Sequence, residues 1–280
     1  ITTGVSGLRV NRVKFDEITE DLSNQEKYLK KFYSDKKSKD IKMKFSDKIC
    51  LNNISFKYEN SKRKILNNVS IEIFKGQSIG IIGETGSGKS TLIDLILGVL
   101  EPNEGEVLID GKKLEENNLN SWHSNIGYIP QDLFLINDTI KKNIVLGIPD
   151  EEIDNSVLDQ SVKIANLEKF ISKLENKLET KVGERGIKIS GGEKQRISIA
   201  RAFYKKPSVV VMDEATSSLD NNTEKEFMKS IDKVKNNSTL IIIAHRLSTV
   251  KNCDVVYLIS NGEIKDKGKY EDIIKRNNLQ

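Results

Sequence analysis

Gly83-Glu84-Thr85-Gly86-Ser87-Gly88-Lys89-Ser90 is a glycine-rich run closed by a lysine and a hydroxyl, with the spacing G-x-x-x-x-G-K-[ST]. Glycines let a backbone curl so that successive amides point inward, and a helix starting at this point adds the positive end of its dipole. A polyphosphate is then held largely by main chain. Lys89 is expected to pair with the β- and γ-phosphates, and the Ser90 hydroxyl to bind Mg²⁺. The plain alternative, a turn that happens to contain lysine, is disfavoured because the run follows Ile79-Gly80-Ile81-Ile82 and precedes an amphipathic stretch. Two further groups follow β-branched runs. Asp213-Glu214 ends Val209-Val210-Val211-Met212, and His245 ends Ile241-Ile242-Ile243-Ala244. Asp213 is read as a Mg²⁺ holder, Glu214 as the carboxylate that polarises an attacking water, and His245 as a γ-phosphate sensor. Taken singly, the carboxylates also read as a strand end at the surface, and the histidine as structural.

What must position these groups is an open parallel sheet, because such sheets bind ligands at the carboxyl ends of their strands. Alternation at Ile54, Phe56 and Tyr58, then at Val69, Ile71 and Ile73, predicts an antiparallel pair. Residues 79–82 read as a buried strand, and Thr91, Leu92, Leu95, Ile96 and Val99 as a helix ending before Pro102. Val107-Leu108-Ile109 with Asp110-Gly111 predicts a strand and tight turn, and residues of about 135 to 205 are mainly helical in pattern. Strands return at 209–212, 240–243 and 255–258. Asn261-Gly262 suggests a closing hairpin, and residues 270–274 a last short helix.

Composition narrows the class of protein. The chain has 280 residues, 37% hydrophobic and 31% charged, so wholesale disorder is excluded. A formal charge of +4 selects no nucleic-acid partner. The longest apolar runs fall far short of the roughly 20 residues needed to cross a bilayer. Cys50 and Cys253 make neither a disulfide framework nor a zinc cluster, which suits a reducing compartment. Ile1 stands where an initiator Met is absent, so the chain is read as a fragment. Residues 1–48 are expected to be a helix, carrying Phe15, Ile18 and Leu22, followed by a charged linker. Its lysines suit hydration or, less simply, anionic lipid.

With these residues in place, the sequence resembles the nucleotide-binding domain of ATP-binding cassette (ABC) transporters over about residues 49 to 276. Ser190-Gly191-Gly192-Glu193-Lys194-Gln195-Arg196 is similar to the family signature, with Glu193 where Gln is commonest. By itself it reads as a serine cap opening a helix, a second anion-binding N-terminus. Val182-Gly183-Glu184-Arg185-Gly186 looks like the segment typical of exporters, and Ser218-Leu219-Asp220 like the D-loop. Gln131, in Tyr128-Ile129-Pro130-Gln131-Asp132, looks like the Q-loop glutamine that touches Mg²⁺, the water and the membrane part.

The resemblance implies an α/β fold: a P-loop NTPase core, mainly parallel sheet flanked by helices, with an antiparallel β subdomain and a helical subdomain at about 132–205. It implies ATP and Mg²⁺ as ligands. Tyr58 would stack on adenine, Gly83, Glu84, Thr85, Gly86, Ser87, Gly88, Lys89, Ser90 and Thr91 would hold the phosphates, and Ser90, Gln131 and Asp213 the metal. Catalysis would fall to Glu214, His245, Gln131 and Lys89. Ser190, Gly191, Gly192 and Asp220 would complete the site of a second copy in a head-to-tail homodimer sandwiching two ATP. The expected setting is the cytoplasmic face of a membrane, with a transmembrane domain fused before Ile1. The 8–22 tail is similar to those of bacterial lipid or lipid-linked glycan exporters. The competing reading is a soluble ABC-family ATPase acting on nucleic acid or ribosomes, against which stand the missing long coiled coil and the single copy of each motif.

Overall fold

The computed structural model describes residues 43–279 apart from 60, 62, 216–220, 235–237 and 245. Expectations for residues 1–42, Ser218, Leu219, Asp220 and His245 therefore lie outside the described residues. In chain order the elements begin with β1 (Lys48–Phe56), β2 (Leu66–Phe74), β3 (Ser78–Ile82) and α1 (Lys89–Leu97). Next are β4 (Glu104–Ile109), β5 (Lys112–Lys113), α2 (Leu119–His123), β6 (Ile126–Ile129) and α3 (Ile140–Ile144). They continue with α4 (Asn155–Ile164), α5 (Glu168–Ser172), α6 (Gly191–Tyr204), β7 (Val209–Asp213) and α7 (Asn221–Val234). The last are β8 (Thr239–Ile243), β9 (Val255–Ser260), β10 (Glu263–Gly268) and α8 (Tyr270–Asn277).

One sheet has the order β2-β1-β4-β5 and is antiparallel; the other runs β10-β9-β3-β8-β7-β6, parallel except for β10. Side chains alternate across a strand, and here the alternation divides two cores. Ile79, Ile81, Val209, Val211, Ile241, Ile243, Tyr257 and Ile259 face α1 and the antiparallel sheet. Val210, Met212, Leu240, Ile242, Val256 and Leu258 face the helical side built on α4 and α6. Burial on both faces explains why these strands are nearly continuous runs of Val and Ile. Both tight turns form as expected, with Asp110, Gly111, Asn261 and Gly262 at positive φ, the geometry that two-residue hairpins need.

Three expectations shift. The linker does not extend to residue 48: Met43 and Phe45 are buried, and the Phe45 ring meets fully buried Trp122 edge-on at 6.0 Å. Asp110 accepts backbone hydrogen bonds from Ser46, Asp47 and Lys48 at 2.7, 2.8 and 2.9 Å. Although burial opposes it, these and the Ser46 hydroxyl hold the Asp110 carboxyl below the usual range. The helix after the phosphate loop stops at Leu97, because Gly98 takes the left-handed conformation (φ 72°) and closes it. Finally, 135–205 is broken into short helices. Thr139 bridges Lys181, and the fully buried Asn143 side chain donates to the carbonyls of Ile136 and Thr139.

Candidate functional site

The phosphate loop occupies the turn from β3 into α1. Gly83, Gly86 and Gly88 all have positive φ, at 151°, 77° and 105°. At Gly83 a Cβ would lie 2.1 Å from the Ile259 carbonyl oxygen, so no other residue fits. Gly88 stands as the left-handed residue before α1. Lys89 Nζ is buried and donates to the carbonyls of Gly83 and Glu84, both at 2.9 Å, so the ammonium folds back over the loop. Burial lowers its pKa, and Glu214 and Asp213 push it back up. The Ser87 hydroxyl is buried without a hydrogen-bond partner among the described residues. Ser90 is exposed, and Thr91 lies buried beside it on α1.

Asp213 is the last residue of β7 and is 7% exposed. Its Oδ2 accepts a long hydrogen bond from the Tyr128 hydroxyl (3.5 Å), and its Oδ1 is buried without a partner among the described residues. Burial, then the charges of Glu214 and Asp94, raise its pKa. The same crowding raises Tyr128 to about 12: burial first, then Asp213 and Asp94. An orphaned carboxylate oxygen among like charges is what an arriving dication would satisfy. The oxygen-only set of Asp213, Ser90 and Gln131 therefore fits Mg²⁺.

Glu214 stands just past the strand with φ 50°, and its amide donates to the Ile243 carbonyl of β8 at 3.1 Å. Its Oε2 accepts from Gln131 Nε2 at 2.7 Å. Gln131 follows β6, which pairs with β7. Gln131, expected here as the Q-loop glutamine, does reach Glu214; the strand β6 that leads to it, with Tyr128, and Asp94 are not among the sequence expectations. Tyr58 lies beyond β1 rather than in it. It is 46% exposed, edge-on to Phe56 at 5.0 Å, with its hydroxyl 3.5 Å from the Thr91 hydroxyl at the start of α1. The half-exposed ring therefore lies beside the start of α1.

Ser190, Gly191 and Gly192 are not part of this cluster. Ser190 caps α6 in a capping box: its hydroxyl accepts from the Glu193 amide at 3.4 Å, and Glu193 Oε2 accepts from the Ser190 amide at 2.9 Å. The Glu in place of the commoner Gln thus preserves the cap. α6 packs on α3, α4 and β6, and β6 lies three strand spacings, about 14 Å, from β3.

A family model described as ABC transporter matches residues 66–217. The chain belongs to the ABC transporter family. Over 222 residues it is 39% identical to "Putative multidrug export ATP-binding/permease protein YgaD" of Bacillus subtilis (strain 168), covering 79% of this chain and 38% of that protein. It is also 38% identical over 229 residues to "Uncharacterized ABC transporter ATP-binding protein YwjA" of the same organism, covering 81% of this chain and 39% of the relative. A solved structure, "Structure of a bacterial Atm1-family ABC exporter with ATP bound", superposes with a TM-score of 0.80 at 36% identity, covering 85% of this chain and 42% of that one. The ABC chain thus spans about two fifths of the length of these relatives, and it is their ATP-binding portion that it matches. No helix among the described residues is long and apolar enough to cross a membrane.

Proposed function

We propose that this ABC domain is the ATP-hydrolysing motor of an exporter, and that two copies close head to tail around two ATP. The observation that carries the reading is the convergence of Lys89, Asp213, Glu214 and Gln131 at the carboxyl edge of β3, β7 and β6. In it, the loop amides and Lys89 bind the triphosphate, Tyr58 stacks on adenine, Gln131 and Glu214 orient the water, and His245 contacts the γ-phosphate. Mg²⁺, held by Ser90, Asp213 and Gln131, would neutralise charge on the phosphates. In this reading, Ser190, Gly191, Gly192 and Asp220 of the second copy complete each site. The second copy's contacts to the γ-phosphate would add to those of Lys89 and His245 only in the closed pair, so binding favours closure and hydrolysis reverses it.

Coupling to a membrane domain, fused ahead of this region in the proposal, is supported by an apolar patch. Phe134 (63% exposed) and Ile187 (81% exposed) lie on two adjoining loops, joined by the Val182 amide donating to the Asp138 carbonyl at 3.0 Å. Arg201 of α6 donates to the Phe134 carbonyl at 3.1 Å, linking this surface to the signature helix. The working position is the cytoplasmic face of the membrane. The cargo, a lipid or lipid-linked glycan on the likeness of the 8–22 tail, is selected outside residues 43–279. A direct check is ATP turnover by the purified protein against its own concentration. Mg²⁺-dependent hydrolysis whose rate per molecule rises with concentration, until the pair saturates, is expected. A rate per molecule independent of dilution down to the nanomolar range would exclude completion of the site by a second copy.

A further inference from the structure

Glu224, in the first turn of α7, is 7% exposed, and both its carboxylate oxygens reach across to another segment. Oε2 accepts from Arg246 Nη1 at 2.8 Å, and Oε1 accepts from the Thr249 hydroxyl at 2.7 Å. None of these three residues belongs to the nucleotide site described above. Their placement nevertheless bears on it. Arg246 is the residue bonded to His245, and Glu224 follows Asp220 by four positions. On the other side of His245, the Ala244 amide donates at 3.3 Å to the Ile81 carbonyl of β3, the strand that leads into the phosphate loop. The two neighbours of His245 are therefore anchored in different places, one on β3 and the other on α7.

We propose that Glu224 is a positioning residue for ATP hydrolysis: through Arg246 and Thr249 it fixes the chain just after His245 against α7. A buried carboxylate shared by a guanidinium and a hydroxyl has a narrow geometry, and removing the charge weakens its hold on Arg246. The competing account is local: an acid in a helix's first turn is favoured by the helix dipole alone. That account predicts a loss of stability with no tie to His245.

The inference rests on the reading of His245 as the γ-phosphate contact, so the test is a double-mutant cycle of Glu224→Gln and His245→Ala, with single-turnover ATP hydrolysis, KM for ATP and Tm measured on each protein. Gln keeps the length of the side chain and an acceptor for Thr249 while losing the charge. The expected result is that Glu224→Gln slows turnover about tenfold in the parent, a coupling of ordinary size for groups acting together, with KM and Tm nearly unchanged. In the His245→Ala background it costs nothing further. Equal slowing in both backgrounds, or no slowing in the parent, would overturn the inference while leaving the role of His245 intact. A parent-like rate for His245→Ala alone would overturn that role and this inference with it. Thr249→Ala serves if Glu224→Gln does not fold: a smaller loss, again absent without His245, is expected, and an undiminished loss there would contradict the proposal.

Discussion

Glu214→Gln is expected to lower kcat for ATP by about 100- to 1,000-fold, within the range for removing a positioned general base. KM should stay within a few-fold, because the variant keeps the shape of the side chain and every phosphate contact. The position explains why a single atom matters so much. Glu214 sits in a left-handed turn pinned to β8 through its amide, and its carboxylate meets Gln131 at 2.7 Å. The two groups assigned to the attacking water are thus already in register with each other. Since hydrolysis is what reopens the closed pair, the variant should also accumulate as an ATP-bound dimer on size exclusion. Parent-like turnover would mean that another group activates the water.

Lys89→Ala should act earlier, on binding. A charge-assisted hydrogen bond is worth about 1.5–3 kcal/mol, and Lys89 is placed to make such bonds to two phosphates, so ATP affinity should fall by about 10- to 100-fold or more. Thermal shift separates this from a folding defect. At ATP about 100 times its Kd, the parent gains about 2.7 kcal/mol of stability, and the variant should gain little at the same concentration. In the structure Lys89 also closes the loop on the Gly83 and Glu84 carbonyls, so a modest drop in ligand-free Tm is expected alongside. An unchanged ATP-induced shift would contradict the phosphate role.

Much of this was legible in the sequence because the strongest constraints are local. Gly83 tolerates no side chain against Ile259, and Asp110-Gly111 and Asn261-Gly262 supply the positive φ that their turns demand. Runs such as Val209-Val210-Val211-Met212 are apolar on both faces because two cores meet across one sheet. What escaped depends on partners distant in the chain. Phe45 is core only because Trp122 meets it, and β6 is a strand only because β7 is beside it. The 135–205 region carries helical spacing throughout, yet the bridge from Thr139 to Lys181 and the buried Asn143 interrupt it. Tyr128 reads as an ordinary strand aromatic until Asp213 is placed opposite its hydroxyl. The capping box at Ser190 was half legible: a serine before two glycines marks the helix start, but the returning bond from Glu193 requires the fold.

The central claim is that the Gly83 to Ser90 loop and the carboxylates across from it bind one magnesium triphosphate that a second copy covers. Crystallising Glu214→Gln with ATP and Mg²⁺ tests it most directly. The account predicts triphosphate density on the amides of Gly86 to Ser90, adenine against Tyr58, the cation between Ser90 and Asp213, and Ser190 of a second copy at the γ-phosphate. Nucleotide lodged elsewhere, with this loop still closed by Lys89 on its own carbonyls, would contradict it.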